Sequence, residues 1–359
     1  MASVVFAGGG TAGHIEPALA VARAWAMEHP SDTIVFIGTK TGLENTLIPN
    51  AGFTLTQVPK VTIPRRPSLA WLRTPFALFA AVRACHIILR NADLLIGFGG
   101  YVSAPAYLAA RLSKVPILIH EANAKPGWAN RLGALLTPFL AVAYPVDSGR
   151  FSHALITGLP LRSDVSAAFV ASHLDFKAAR VAAKKRLGFD EHAPLIFIMG
   201  GSQGSVAINN ATADALNALL AQGLSILHSV GATHVLPASQ PSYRPVGYLD
   251  AMADAYLASD LIIARSGAVT CSEFRTLGRY ALFVPLPIGN GEQFHNAKSL
   301  VEAGRAQILD QSDFSGKYVI THIHDLLARS EVAPIDGSDC DLDAVRKILT
   351  LGEFAISAR

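Results

Sequence analysis

The run Gly8-Gly9-Gly10-Thr11-Ala12-Gly13-His14 stands directly behind the apolar segment Val4-Val5-Phe6-Ala7 and leads into Pro17-Ala18-Leu19-Ala20. A strand, a glycine turn and a helix start in that order leave few folds open. Glycine admits φ > 0 and close backbone approach, and the first amides of a helix carry positive partial charge. The arrangement returns where Ile196-Phe197-Ile198-Met199 runs into Gly200-Gly201-Ser202-Gln203-Gly204, with a helical pattern from Ala207 onward. Two such turns predict two α/β domains facing a shared cleft.

The rest of the chain extends that pattern. Strands are expected at Val4–Ala7, Thr33–Ile37, Thr54–Val58, Leu94–Ile96, Pro116–His120 and Leu140–Val142, and again at Leu195–Met199, Leu224–His228, Leu261–Ala264 and Ala281–Val284. Helical patterns such as Pro17–Met27 and Ala104–Leu112 lie between them, and this alternation implies parallel, doubly wound sheets. A hydrophobic fraction of 51% and a mean hydropathy of +0.34 suit strands buried on both faces. The 359 residues suffice for two domains of ordinary size. Thr157-Gly158-Leu159-Pro160-Leu161-Arg162 has the composition of a hinge, so the expected domains are 1–162 and 163–340. A helix within 341–359 is expected to pack back on the first.

A net charge of +3 gives no argument for a nucleic-acid partner. Cys85, Cys271 and Cys340 are too widely spaced for a disulfide framework or a zinc site. The N-terminus shows no basic n-region, and no apolar stretch reaches the ~18 residues that would span a bilayer, so a cytosolic chain is expected. A dinucleotide site would need an acidic residue at the end of the second strand, about 20 residues past the first glycine turn. Ile34-Val35-Phe36-Ile37 instead runs into Gly38-Thr39-Lys40, and no Gly-Lys-Ser/Thr follows the turn as a Walker A loop requires.

Further clusters stand at predicted strand ends, where ligands bind in such sheets. They are Gly97–Ser103, His120–Asn123, Arg265–Glu273 and Asn290–Gln293. Each alone also reads as turn chemistry and capping. Together, beside two phosphate-type turns, they favour a sugar-nucleotide site.

On these residues the chain resembles the MurG family of peptidoglycan N-acetylglucosaminyltransferases, in order along nearly its whole length. The resemblance implies a two-domain GT-B fold and an inverting, metal-free transfer without cofactor. The donor would be UDP-N-acetylglucosamine, bound mostly by the C-terminal domain. The acceptor would be a lipid-linked N-acetylmuramyl-pentapeptide on the N-terminal domain, at the cytoplasmic face of the membrane, with cell-wall synthesis proteins as possible partners. Carried over by residue, Thr11, Ala12, Gly13, Asn123, Arg162, Ser202, Leu249, Ala268, Val269, Thr270, Cys271, Ser272, Glu273 and Gln293 are the implied donor-contacting positions. Ser202 and the amides after it would hold the diphosphate, Leu249 would place the uracil, Glu273 would accept from the ribose, and Gln293 and Asn123 would read the sugar. Glu292, Phe294-His295 and Leu159 depart from the family pattern.

An acceptor hydroxyl needs a base, for which His14 is the first candidate and Glu121 the rival. His14 is chosen because imidazole titrates near neutral pH. The leaving diphosphate needs a metal or preorganised N–H groups. The Asp-x-Asp at Asp339-Cys340-Asp341, with Asp343 beyond, reads as a solvated helix cap, so amides after Gly201 and near Ser266, with Arg265, are expected to do that work. Ile63-Pro64-Arg65-Arg66 followed by Leu69, Trp71, Leu72, Phe76, Leu78 and Phe79 suits a membrane headgroup boundary or, equally, a core helix with a basic edge. Alternatives on the same fold are a UDP-sugar epimerase or a glycolipid synthase; from another class, a non-catalytic UDP-sugar sensor.

Overall fold

The computed structural model describes residues 1–61, 74–287 and 291–358. They separate into two compact units, 1–162 with 340–359, and 163–339. The first unit holds a seven-stranded parallel sheet of order β3-β2-β1-β4-β5-β6-β7. Its strands are β1 (Ser3–Gly8), β2 (Thr33–Gly38), β3 (Thr54–Gln57), β4 (Leu94–Gly99), β5 (Ile117–Glu121), β6 (Phe139–Val142) and β7 (Leu155–Ile156). Between them run α1 (Ala12–Glu28), α2 (Glu44–Asn50), α3 (Thr74–Leu89), α4 (Ser103–Leu112) and α5 (Trp128–Gly133). The second unit carries α6 (Ser163–Leu174), α7 (Phe176–Arg186), β8 (Leu195–Met199), α8 (Val206–Ala221), β9 (Ser225–Ser229), β10 (Tyr243–Val246), α9 (Met252–Ala258), β11 (Leu261–Ala264), α10 (Ala268–Leu277), β12 (Ala281–Phe283), α11 (Glu292–Glu302), β13 (Ala306–Ile308) and α12 (Gly316–Val332). Its six strands, in the order β10-β9-β8-β11-β12-β13, are all parallel.

Parallel strands have helices on both faces, so their side chains are buried whichever way they point. Every residue of β4, β5, β8 and β11 is buried accordingly. Phe6 stacks on Phe36 with ring centroids 5.0 Å apart, and Trp25 of α1 is buried in the same core cluster. The terminal helix α13 (Ala344–Ser357) repeats apolar residues at helical spacing, and buries Ile348, Leu349 and Ala355 in the same core cluster as Trp25. Burying each of the larger side chains contributes about 1.5–3 kcal/mol.

Strand order reverses between β1 and β4 in one sheet, and between β8 and β11 in the other. Such points open a crevice outside the carboxyl ends of the strands, because the flanking helices go to opposite faces.

Two local expectations are corrected. Helix α1 starts at Ala12, not Pro17: Pro17 lies inside it, where it returns no N–H to the carbonyl four residues back. Asp341 is not a solvated cap. It is 1% exposed, and its Oδ1 accepts from the Leu159 amide at 2.9 Å in the same unit. That carboxylate fixes the Thr157–Arg162 stretch, to which His120 Nε2 also donates through the Gly158 carbonyl at 2.9 Å. Burial pushes the His120 pKa down to about 4, so its ring is neutral and serves as a structural donor.

Candidate active site

In the first unit the glycine turn ends β1 and enters α1 through the N-cap residue Thr11, whose side chain makes no capping bond to the helix amides. It is committed to His14 instead: Thr11 Oγ1 lies 3.1 Å from His14 Nδ1. The other edge of the imidazole faces the end of β4, where a Cβ on Gly99 would lie 3.3 Å from His14 Nε2 and 3.4 Å from Asn130 Nδ2. Burial lowers the His14 pKa from its ordinary value and a hydrogen bond with the Gly9 backbone raises it, the net direction being down. A neutral imidazole at pH 7 is the form that accepts a proton. Gly100, at φ +88°, lets β4 meet the turn: a Cβ there would stand 2.4 Å from the Gly9 carbonyl oxygen. Ser103 Oγ ties both strand ends together, donating to Gly99 O at 2.7 Å with Ala7 O at 3.1 Å.

Glu121, at the end of β5, is 2% exposed. Its Oε1 accepts from the amide and side chain of Asn123 at 2.9 and 3.0 Å, and its Oε2 from Gly127 N and Asn130 Nδ2, each at 3.0 Å. Tyr107 donates to Asn130 Oδ1 at 2.7 Å, extending the network. Burial pushes the Glu121 pKa up while these donors draw it back. A carboxylate with four donors already on it ties the Asn123–Gly127 loop to α5, which weakens its case as a base. Asn123 is thereby held on a fixed loop. Arg162 approaches Glu16 of α1, with Nη1 3.8 Å from Oε1.

In the second unit, Ser202 lies in the turn between β8 and α8, which the Gly204 N–H to Gly201 carbonyl bond closes at 2.9 Å. Ala268 to Glu273 form the first turns of α10, capped by Gly267 without any side-chain bond, so the opening amides of that helix are directed outward. The Ser266 hydroxyl just before them is fully buried and has no partner among the described residues. Glu273 is buried and its Oε2 accepts from Tyr256 Oη at 2.7 Å, which sets the carboxylate's orientation. Gln293, in the first turn of α11, accepts from Leu286 N at 2.9 Å through Oε1. Leu249 is half-buried in the loop after β10. Cys271 is buried, and burial pushes its thiol pKa up, so it packs as an apolar residue. Asn290 lies outside the described residues.

Arg265 is corrected. Its Nη1 donates to the carbonyls of Val284 and Pro285 at 2.7 and 2.9 Å, and its Nη2 to Ser205 Oγ and Gln311 Oε1 at 2.7 and 2.6 Å. It braces the ends of β12 and the α8 cap and has little left for a phosphate. The sequence reading also missed Glu44, whose carboxylate Oε2 accepts from Gly10 N at 3.0 Å. Glu44 stands at the start of α2, six residues beyond Gly38, and contacts the turn itself.

Residues 4–137 match the glycosyltransferase family 28 N-terminal domain, and residues 195–345 match its C-terminal domain. A UDP-N-acetylglucosamine--N-acetylmuramyl-(pentapeptide) pyrophosphoryl-undecaprenol N-acetylglucosamine transferase of Frankia casuarinae is 44% identical, over 92% of this chain and 88% of its own length. The like-named protein of Mycolicibacterium smegmatis is 42% identical over 99% of this chain and 95% of its own. Among solved structures, MurG of Acinetobacter baumannii superposes with a TM-score of 0.71 at 27% identity, over 99% of this chain and all of that one. The UDP-GlcNAc 2-epimerase of Neisseria meningitidis shares the fold, with a TM-score of 0.67 at 13% identity over 98% of this chain and 99% of that one. With both glycosyltransferase family 28 domains matched and relatives of that identity over almost its full length, the chain belongs to glycosyltransferase family 28, in its branch of UDP-N-acetylglucosamine--N-acetylmuramyl-(pentapeptide) pyrophosphoryl-undecaprenol N-acetylglucosamine transferases.

Proposed function

We propose that this enzyme transfers N-acetylglucosamine from UDP-N-acetylglucosamine to the C4 hydroxyl of undecaprenyl-diphospho-N-acetylmuramyl-pentapeptide, inverting the anomeric carbon. The observation that carries the reading is the near-full-length match to transferases of that name. The test is acceptor-dependent UDP release: both substrates together yield UDP and a disaccharide lipid, and UDP-N-acetylglucosamine alone stays unchanged. Conversion of the sugar without acceptor would support the epimerase reading instead.

In this mechanism His14 takes the acceptor proton through Nε2 as the hydroxyl attacks, while Thr11 holds Nδ1. Glu121 orders the loop that presents Asn123. Ser202 and the amides after Gly201 receive the departing diphosphate together with the first amides of α10, whose helix dipole places about half a positive charge there. Glu273 accepts from the ribose hydroxyls, Leu249 flanks the uracil, and Gln293 reads the sugar. Because fixed amides carry the developing charge, turnover is expected to persist in excess EDTA. Loss of activity on chelation, restored by Mg²⁺, contradicts this route.

The lipid-linked acceptor brings the enzyme to the membrane surface, and no helix among the described residues is long and apolar enough to cross one. Docking is assigned to α3, where Phe76 and Phe79 are 77% and 70% exposed and share a face with exposed Arg83 and Ile87. Of the segment expected from sequence, Ile63 to Leu72 lies outside the described residues. Replacing Phe76 and Phe79 with Ser is expected to cut sedimentation with anionic liposomes about tenfold or more, since each buried aromatic contributes about 1.5–3 kcal/mol. Unchanged binding by the folded variant would remove α3 from the docking surface.

A further inference from the structure

Glu44 is 1% exposed, although α2 is a short helix near the rim of the sheet. Its Oε1 accepts from Thr39 N at 3.1 Å and lies 2.9 Å from Thr39 Oγ1, whose one proton it shares with the Thr41 carbonyl at 2.7 Å, while Oε2 accepts from Gly10 N at 3.0 Å. Glycines wall the carboxylate closely. A Cβ on Gly42 would stand 2.2 Å from Oε2, one on Gly9 3.2 Å from Oε1, and one on Gly38 2.8 Å from Cγ. No cation pairs with Glu44 among the described residues' ion pairs, so N–H and O–H donors compensate its charge. A buried carboxylate without a counter-ion is costly unless such donors are rigidly placed. The rim of the sheet offers cheaper ways to fill this space, which points to a role for the charge itself.

The bond to Gly10 falls one residue before Thr11, and Thr11 holds His14 Nδ1. From these contacts we infer that Glu44 is a positioning residue for the acceptor half of the reaction, clamping the glycine turn so that Thr11 and His14 face the acceptor hydroxyl. This rests on His14 being the base. The same contact occupies the Gly10 amide with a negative group, so that amide is not a phosphate ligand, whatever the glycine-rich sequence suggests. The diphosphate of the donor is left to the turn after β8.

The test is a double-mutant cycle between Glu44→Gln and His14→Ala, with folded enzyme counted by UDP binding in each variant. Gln keeps the shape but turns a donor toward the Thr39 or Gly10 amide. Glu44→Gln alone is expected to lower kcat about 10- to 100-fold, as a misplaced catalytic group does, with the KM for UDP-N-acetylglucosamine within about twofold of the parent. In the His14→Ala background Glu44→Gln is expected to change kcat less than twofold. An equal loss in both backgrounds shows that Glu44 does not act through His14 and overturns the inference, as does an unchanged kcat in the single variant. If His14→Ala itself retains kcat, the base assignment fails instead, a separate outcome. Should Glu44→Gln not fold, Thr39→Ala removes one of the clamp's donors and leaves the charge. It is expected to lower kcat severalfold without shifting donor KM and to speed exchange of the Gly10 amide with solvent, and slow exchange with unaltered kcat contradicts the clamp.

Discussion

Replacing His14 with Ala is expected to lower kcat by about 100- to 10,000-fold, the usual contribution of a positioned general base, while the KM for UDP-N-acetylglucosamine stays nearly constant. The split follows from where the residues lie. His14 belongs to the first unit with its partner Thr11, whereas Ser202, Glu273 and Gln293 belong to the second. The pH dependence has a definite sign. Because burial lowers the His14 pKa, the neutral, proton-accepting ring already predominates at pH 7. Rate therefore climbs with pH through an acid limb centred below the ordinary imidazole value of about 6.5 and is level above it. In His14→Ala the limb is expected to vanish along with the rate. A limb that persists unchanged in this variant would transfer the base role to another group, with Glu121 the first to be examined.

Gly204→Ala is expected to weaken UDP and UDP-N-acetylglucosamine binding about 100-fold, which is the loss of two hydrogen bonds to a charged group at about 1.5 kcal/mol each. Gly204 has φ +75°, and a Cβ on it would stand 2.0 Å from the Val230 carbonyl oxygen. Opposite it, a Cβ on Gly231 would meet the Gly204 Cα and N at 2.4 Å. The turn after β8 and the end of β9 therefore meet backbone to backbone, and although the His234 ring also lies against that position, moving it leaves the collision with the Val230 carbonyl in place. An added methyl must open the turn and displace Ser205, the α8 cap and the partner of Arg265. Gly201→Ala is the matched control. Its φ is also positive, at +84°, yet nothing lies within 4 Å of its Cβ position. It incurs backbone strain of about 1–3 kcal/mol without the collision. A folded Gly204→Ala protein that binds UDP as the parent does, by calorimetry, would show that this turn is not the diphosphate site.

The central strands were legible because a parallel strand buried on both faces becomes an unbroken apolar run, as in Val4–Ala7 and Leu195–Met199. The three strands that escaped, β7, β10 and β13, are all sheet edges. An edge strand has one partner and one open side, so Tyr243-Arg244-Pro245-Val246 carries an Arg and a Pro that an interior position would reject. Helix α1 was read late because Pro17 suits a first turn, while burial of Ile15 holds the chain helical from further upstream. The glycine turns and the helix starts behind them were visible because each is defined by residues adjacent in sequence. Glu44, Asp341 and Arg265 were not. Their roles depend on bonds to Gly10, 34 residues away, to Leu159, 182 residues away, and to Ser205 and Gln311, 60 and 46 residues away. Local pattern says that such a residue is charged and near a turn, and only the fold says which turn it serves.

The central claim is a single displacement, in which a hydroxyl freed by His14 attacks a sugar whose diphosphate leaves onto fixed amides. Its stereochemistry is the most direct test, read from the anomeric proton coupling of the new linkage by NMR on product made from α-linked UDP-N-acetylglucosamine. The account predicts a β linkage to the C4 oxygen of the acceptor sugar, formed only when the acceptor is present. A product with the α configuration retained would require a second displacement or a front-side route, and would contradict it.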